Sequence, residues 1–135
     1  MTETQVRAAL DAFDHAFATG DATALAGQFA ADGRLLLLHT DAIHGRDAIR
    51  AHWERLFARY DTSAWRTELL VIDTHADRAW TVATYSEILV PRVDGHGQRQ
   101  LVQGRLVRSL QPEVDGRWRV SLALNSHTRP VELLD

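Results

Sequence analysis

Seven histidines are the groups in this chain best suited to moving protons near neutral pH, because imidazole titrates there. His39 and His44 flank a loop after the aliphatic run 35–38, and His127 follows Asn125 and Ser126 at the end of the last alternating segment. His52 borders the inner stripe of an expected helix and reads as a partly buried structural histidine. His15, His75 and His96 fall on expected solvent faces or turns. Tyr85 and Glu87 are two residues apart, as are Gln103 and Arg105. Within strands each pair therefore shares a face. A phenol, an amide and a guanidinium on one face would suit a carbonyl or phenolate oxygen. The competing arrangement is a cross-strand ion pair of Glu87 with Arg105 on an outer face, and alternation alone leaves the choice of face open.

The expected site takes His39, His127 and Tyr85 as catalytic groups. Its apolar walls are Phe13, Phe17, Trp53 and Trp118, and its polar contacts Gln103, Arg105 and Asn125. His39, Asp41 and His44 offer three donor side chains in one segment, but their spacing matches no established metal motif. Neither metal nor cofactor is expected. The chain has no cysteine, which removes thiolate nucleophiles and disulfides, and its fifteen basic residues are all arginine, which removes Schiff-base chemistry on a lysine.

The elements that position these groups follow from periodicity. With 135 residues, of which 45% are hydrophobic and 24% charged, one domain spanning residues 1–135 with a real core is expected. The formal charge of −3 gives no basic field for nucleic acid. The polar N-terminus lacks the pattern of a signal peptide, and the run 35–38 is too short to span a bilayer. A cytoplasmic location is expected, with neither nucleic acid nor membrane as partner.

Val6, Leu10, Phe13 and Phe17 form one helical stripe. Gly20 stops that helix, and Asp21 caps a second, short one carrying Leu25 and Phe29, which Ala31-Asp32-Gly33 ends. Residues 35–38 read as the first, buried strand. Gly45-Arg46-Asp47 opens a third helix with Ile49, Trp53, Leu56 and Tyr60 inward. After Tyr60 the period becomes that of strands, over 65–74, 79–90, 98–110 and 117–126, with short polar links. The order predicts an α+β fold: a cone of three N-terminal helices packed on a strongly curved, mainly antiparallel sheet. Trp65, Trp80, Val102 and Leu106 give the strands more apolar surface than one covered face needs, so a homodimer through the outer face is expected.

The segments 16–25 and 29–33, with Gly45-Arg46-Asp47-Ala48-Ile49-Arg50 and Asp115-Gly116-Arg117-Trp118-Arg119-Val120, resemble SnoaL-like and ketosteroid isomerase-like proteins of the nuclear transport factor 2-like superfamily. The resemblance implies that fold and a pocket for a small molecule. It also implies a base on the first strand, where this chain has Leu37, and a tyrosine donor on the first helix, where it has Phe13. No acid lies between Gly95 and Pro112, where a third group would stand, and the epoxide-hydrolase relay fails because Val107, two residues after Arg105, stands where an acid is wanted. No catalytic residue therefore carries over. The expected function is a cofactor-independent acid–base enzyme, of isomerase, cyclase or dehydratase type, acting on a small apolar cyclic or polyketide-like molecule. The alternative is a non-catalytic binding or dimeric accessory protein with a vestigial pocket.

Overall fold

The computed structural model describes residues 2–38, 40–93 and 97–134. Helix α1 (Thr2–Ala18) buries Val6, Leu10, Phe13, Ala16 and Phe17, the expected stripe. It ends at Gly20, whose φ of 69° lies in the left-handed region that glycine tolerates. The Asp21 carboxylate then accepts from the Ala24 amide at 3.0 Å, capping α2 (Ala22–Gly27). Helix α3 (Arg46–Arg59) buries Ile49, Trp53 and Phe57.

Three expectations about boundaries are corrected. Phe29 belongs to strand β1 (Phe29–Leu36), not to α2, and the strand starts well before Leu35. An irregularity between Phe29 and Arg34 breaks its alternation, leaving Phe29 and Ala30 both buried and Ala31 and Asp32 both exposed. That break hides the strand from any period-two reading. Tyr60 leaves the helix for the short strand β3 (Tyr60–Asp61), so Phe57 rather than Tyr60 completes the buried stripe.

The remaining strands are β2 (Ile43–His44), β4 (Arg66–Thr74), β5 (Ala79–Pro91), β6 (Gln100–Pro112), β7 (Trp118–His127) and β8 (Val131–Glu132). They make one strongly curved sheet in the order β2-β1-β7-β6-β5-β3, with β4 also on β5 and β8 also on β6. All pairings are antiparallel except β1 with β7. The helices pack on the concave face. Thr62 ties the end of α1 to the sheet by donating to the Phe17 carbonyl at 2.8 Å, and Arg46 Nε donates to the Phe29 carbonyl at 2.7 Å. At the open end β6 and β7 approach so closely at Gly104 that a Cβ there would overlap the Ser126 carbonyl and lie 2.7 Å from the His127 Cα. Among the described residues no helix is long and apolar enough to cross a membrane.

Register settles which residues face inward. Ala79, Thr81, Ala83, Tyr85 and Glu87 of β5 are all buried, and they stand across from Leu110, Arg108, Leu106, Gly104 and Val102 of β6. The outer face holds Trp80, Val82, Thr84, Ser86 and Ile88. Trp65 is not a surface group, contrary to expectation: it lies inside, stacked between Phe17 at 4.0 Å and Tyr85 at 5.0 Å between ring centroids. Val102 and Leu106 are likewise buried on the inner face.

Candidate active site

Two charged side chains are carried on the buried inner face of β5 and β6. Arg108, 1% exposed, meets Asp14 of α1 at 3.0 Å and lies 5.0 Å from the centre of the Phe13 ring. Burial lowers its pKa, and Asp14 counters that shift. The same carboxylate accepts from Trp65 Nε1 at 3.2 Å and from the Thr67 hydroxyl at 2.7 Å. Asp14 thereby fixes the indole that stacks on Tyr85.

Glu87 is the other charge, 8% exposed, and its Oε2 has no hydrogen-bond partner. It lines a cavity of about 260 Å³ at the open end of the cone, with Phe17, Leu37, Trp53, Tyr85, Leu89 and Asn125 among the walls. Burial without a neighbouring cation raises its pKa from the usual 4.5 to about 7. Tyr85, on the same face of β5, is pushed up to about 12 by burial and by Glu87, while a hydrogen bond with Asn125 works the other way. It stays a phenol at any physiological pH. Two more buried polar atoms of the walls are unpartnered: Trp53 Nε1 and Asn125 Oδ1. His52 also lines the cavity, its ring 4.6 Å from that of Trp53, and burial followed by the charge of Arg55 lowers its pKa. His127 reaches the rim, with Nδ1 2.8 Å from the Thr128 carbonyl. That bond puts the proton on Nδ1 and leaves Nε2 as the acceptor.

Of the residues expected from the sequence, the fold gathers Tyr85, His127, Phe17, Trp53 and Asn125 around this cavity. His39 lies outside the described residues. Four others are not brought there. Phe13 is core, 5.7 Å from Phe29 between ring centroids. Trp118 stands at the opposite end of the β6–β7 pair, lining a separate cleft with Ala8, Ala12 and Arg119. Gln103 and Arg105 alternate with buried Val102 and Leu106, so they point outward and are exposed. The ion pair weighed for Glu87 and Arg105 fails for the same reason: Glu87 stands across from Val102 and faces in, whereas Arg105 stands across from Thr84 and faces out. Glu87 is the residue that sequence reasoning did not select. The signal was its parity with Tyr85. It became decisive only once Ala79, Thr81 and Ala83 were known to be the inner set.

A model of the SnoaL-like domain matches residues 9–119, and the chain belongs to that family. Solved structures share the fold at low identity. A ketosteroid isomerase-like protein from Erwinia carotovora atroseptica is 20% identical, with 94% of this chain and 96% of that one covered and a TM-score of 0.81. A conserved protein from Planctomyces limnophilus is 17% identical, covering 96% and 97%, with a TM-score of 0.85. A proposed scytalone dehydratase from Novosphingobium aromaticivorans is 16% identical, covering 98% and 88%, with a TM-score of 0.83. No curated protein matches the chain.

The raised pKa of Glu87 has a consequence for stability. The folded state holds this proton more tightly than the unfolded chain, so folding takes up a proton between pH 4.5 and about 7. Stability should be full below that window and fall across it by about 3 kcal/mol as pH rises. Glu87→Gln removes the titration. In urea unfolding at acid pH and at pH 8 or so, the gap between variant and parent should widen in the variant's favour by about that amount; a gap independent of pH would contradict the burial of an unpaired acid.

Proposed function

We propose that the protein is a cofactor-independent acid–base enzyme, of isomerase, cyclase or dehydratase type, that moves a proton on a small, mostly apolar cyclic or polyketide-like molecule. The observation carrying this reading is Glu87, a buried carboxyl with an unpartnered oxygen in an apolar cavity. A group with a pKa near the working pH is both a competent base and a competent acid. As carboxylate, Glu87 takes a proton from a carbon next to a carbonyl; as carboxylic acid, it returns that proton to another atom of the same molecule. Between the two transfers negative charge sits on the carbonyl oxygen. The Tyr85 hydroxyl and Trp53 Nε1 are the donors able to meet it, and the surrounding apolar walls strengthen such bonds by excluding water. Tyr85 and Glu87 are alternate residues of β5, so both side chains leave the same face of the strand into one cavity. His127, through Nε2, is a second acceptor at the rim.

Nitrobenzisoxazole tests this without knowledge of the natural substrate. It is a neutral ring compound that loses one C–H proton to a base, breaks its N–O bond and becomes a coloured cyanophenolate. The expected rate rises with pH to a plateau above roughly pH 7, following the Glu87 carboxylate, and Glu87→Gln lowers it by about 10²- to 10⁴-fold. A probe that binds but reacts no faster than in buffer would favour the non-catalytic reading.

We also propose that two copies associate through the outer face of the sheet. Val71, Val82, Val107 and Leu124 form one cross-strand row there, and Leu70 and Trp80 expose a further 51% and 42% of their surfaces. Such a patch on a soluble chain marks a partner surface. Sedimentation at micromolar concentration should give a dimer that Val82→Lys converts to monomer; a parent protein that is monomeric throughout would overturn this.

A further inference from the structure

The direction in which Tyr85 can donate its hydroxyl is set by the plane of its ring. The phenol oxygen lies on the axis about which the ring turns, so turning the ring hardly moves it. The O–H bond prefers the ring plane, by conjugation, and so the plane decides where the hydrogen points. That torsion is intrinsically broad, and packing has to set it. The cross-strand neighbours of Tyr85 are Thr67 of β4 and Gly104 of β6, and the glycine has no side chain for the ring to lean on. The ring is met face-on by the indole of Trp65, with centroids 5.0 Å apart and planes inclined by 26°.

Trp65 needs fixing in its turn. It stands just before β4, one residue short of the ladder to β5, whose first pair is Arg66 with Ser86. Phe17 stacks on its other side at 4.0 Å. Two stacked faces resist tilting of the indole but let it slide and turn between them. The bond that stops this runs from Trp65 Nε1 to Asp14 Oδ1 at 3.2 Å. Oδ2 of the same carboxylate accepts from the hydroxyl of Thr67 at 2.7 Å, and Arg108 Nη1 holds the carboxylate itself at 3.0 Å. Asp14 therefore reaches Tyr85 by two routes, the stack and the neighbouring strand. It opens on a separate cleft between α1 and β4, with Arg7, Asp11 and Leu69, rather than on the cavity at the open end.

We infer that Asp14 is a positioning residue for proton transfer in the cavity: by holding Trp65 in register with Tyr85 it sets the plane of the phenol, and so the line along which its hydroxyl donates. The effect on rate rests on the role proposed for Tyr85; the geometry rests on the hydrogen bonds and the stack alone. Asp14→Asn by itself leaves Arg108 buried without a counter-charge, so two double variants are compared, each removing both charges. Asp14→Asn with Arg108→Met keeps an oxygen to accept from Trp65 Nε1. Asp14→Leu with Arg108→Met has the same shape and no acceptor. With nitrobenzisoxazole the first should keep kcat within about threefold of the parent, and the second should fall a further tenfold or so with KM nearly unchanged. The pH midpoint of the rate, which follows Glu87, should be the same in both.

The second readout needs no turnover. The chain has two tyrosines, so NMR of ring-labelled tyrosine, with Tyr60→Phe for assignment, isolates Tyr85. Its ring protons should lie upfield, over the indole, in the parent and the first double variant. They should move toward the ordinary tyrosine position in the second. If the second fails to fold, Trp65→Phe, which keeps a ring and drops the N–H, takes its place with the same expected losses. Tyr85 signals that do not distinguish the two variants, or a pH midpoint that differs between them, overturn the inference. Should the signals divide as expected while the parent does not turn the probe over, the positioning of the phenol stands and the enzyme reading falls. Turnover with equal kcat in both double variants has the opposite meaning.

Discussion

A charge placed on the concave face of this sheet must either find its counter-charge or give up being a charge. Arg108 does the first. Asp14 reaches down from α1 to meet it, and the same carboxylate anchors Trp65 and Thr67, so one buried ion pair joins helix, sheet and aromatic stack. Glu87 does the second. It sits at the open end, beyond the reach of that network, and only desolvation acts on it. A pair of this kind is a modest source of stability, because two desolvation costs offset the attraction. Its larger effect is geometric: it fixes Trp65, and through the stack it fixes the ring of Tyr85 beside the lone acid.

The resemblance to ketosteroid isomerase-like proteins implied a base on the first strand and a phenol on the first helix, and the chain has Leu37 and Phe13 there. In the fold, Leu37 does line the cavity, as an aliphatic wall. Phe13 instead lies beneath Arg108 in the core. In the proposed reading, the acid and the phenol that line the mouth of this container both come from β5, which is how one fold accommodates unrelated chemistry.

The three helices and the four long strands were legible from the α1 stripe, the Asp21 cap and the alternation of β5 and β6, even though β4 shifts register between Leu69 and Val71 and the β6–β7 pair between Ser109 and Leu110. β1 was not, because its irregularity breaks the alternation. The facing of β5 was ambiguous for a physical reason. Its inner set reads Ala79, Thr81, Ala83, Tyr85, Glu87; its outer set reads Trp80, Val82, Thr84, Ser86, Ile88. The outer residues are as apolar as the inner ones, so burial from hydrophobicity alone points nowhere. Small inner residues are what a sheet needs where helices press close, and the large apolar outer set is the one the proposed dimer would cover. Strand parity and position put Tyr85, Asn125 and His127 in the lining of the cavity, whereas Gln103 and Arg105, chosen by the same reasoning, face outward because the parity of β6 is set by Val102, Leu106 and Leu110 rather than by its polar residues.

Glu87 is a buried carboxyl with an unpartnered oxygen, and the rest of the site depends on it. Its titration can be followed directly by carbon-13 NMR of protein labelled at the glutamate side-chain carboxyls, the Glu87 resonance being assigned by its loss in Glu87→Gln. A midpoint near the expected value of about 7, well separated from the other glutamates, would support the account. A midpoint at the ordinary carboxylate value of 4.5 would contradict it, because a group that ionises there is solvated or paired with a cation.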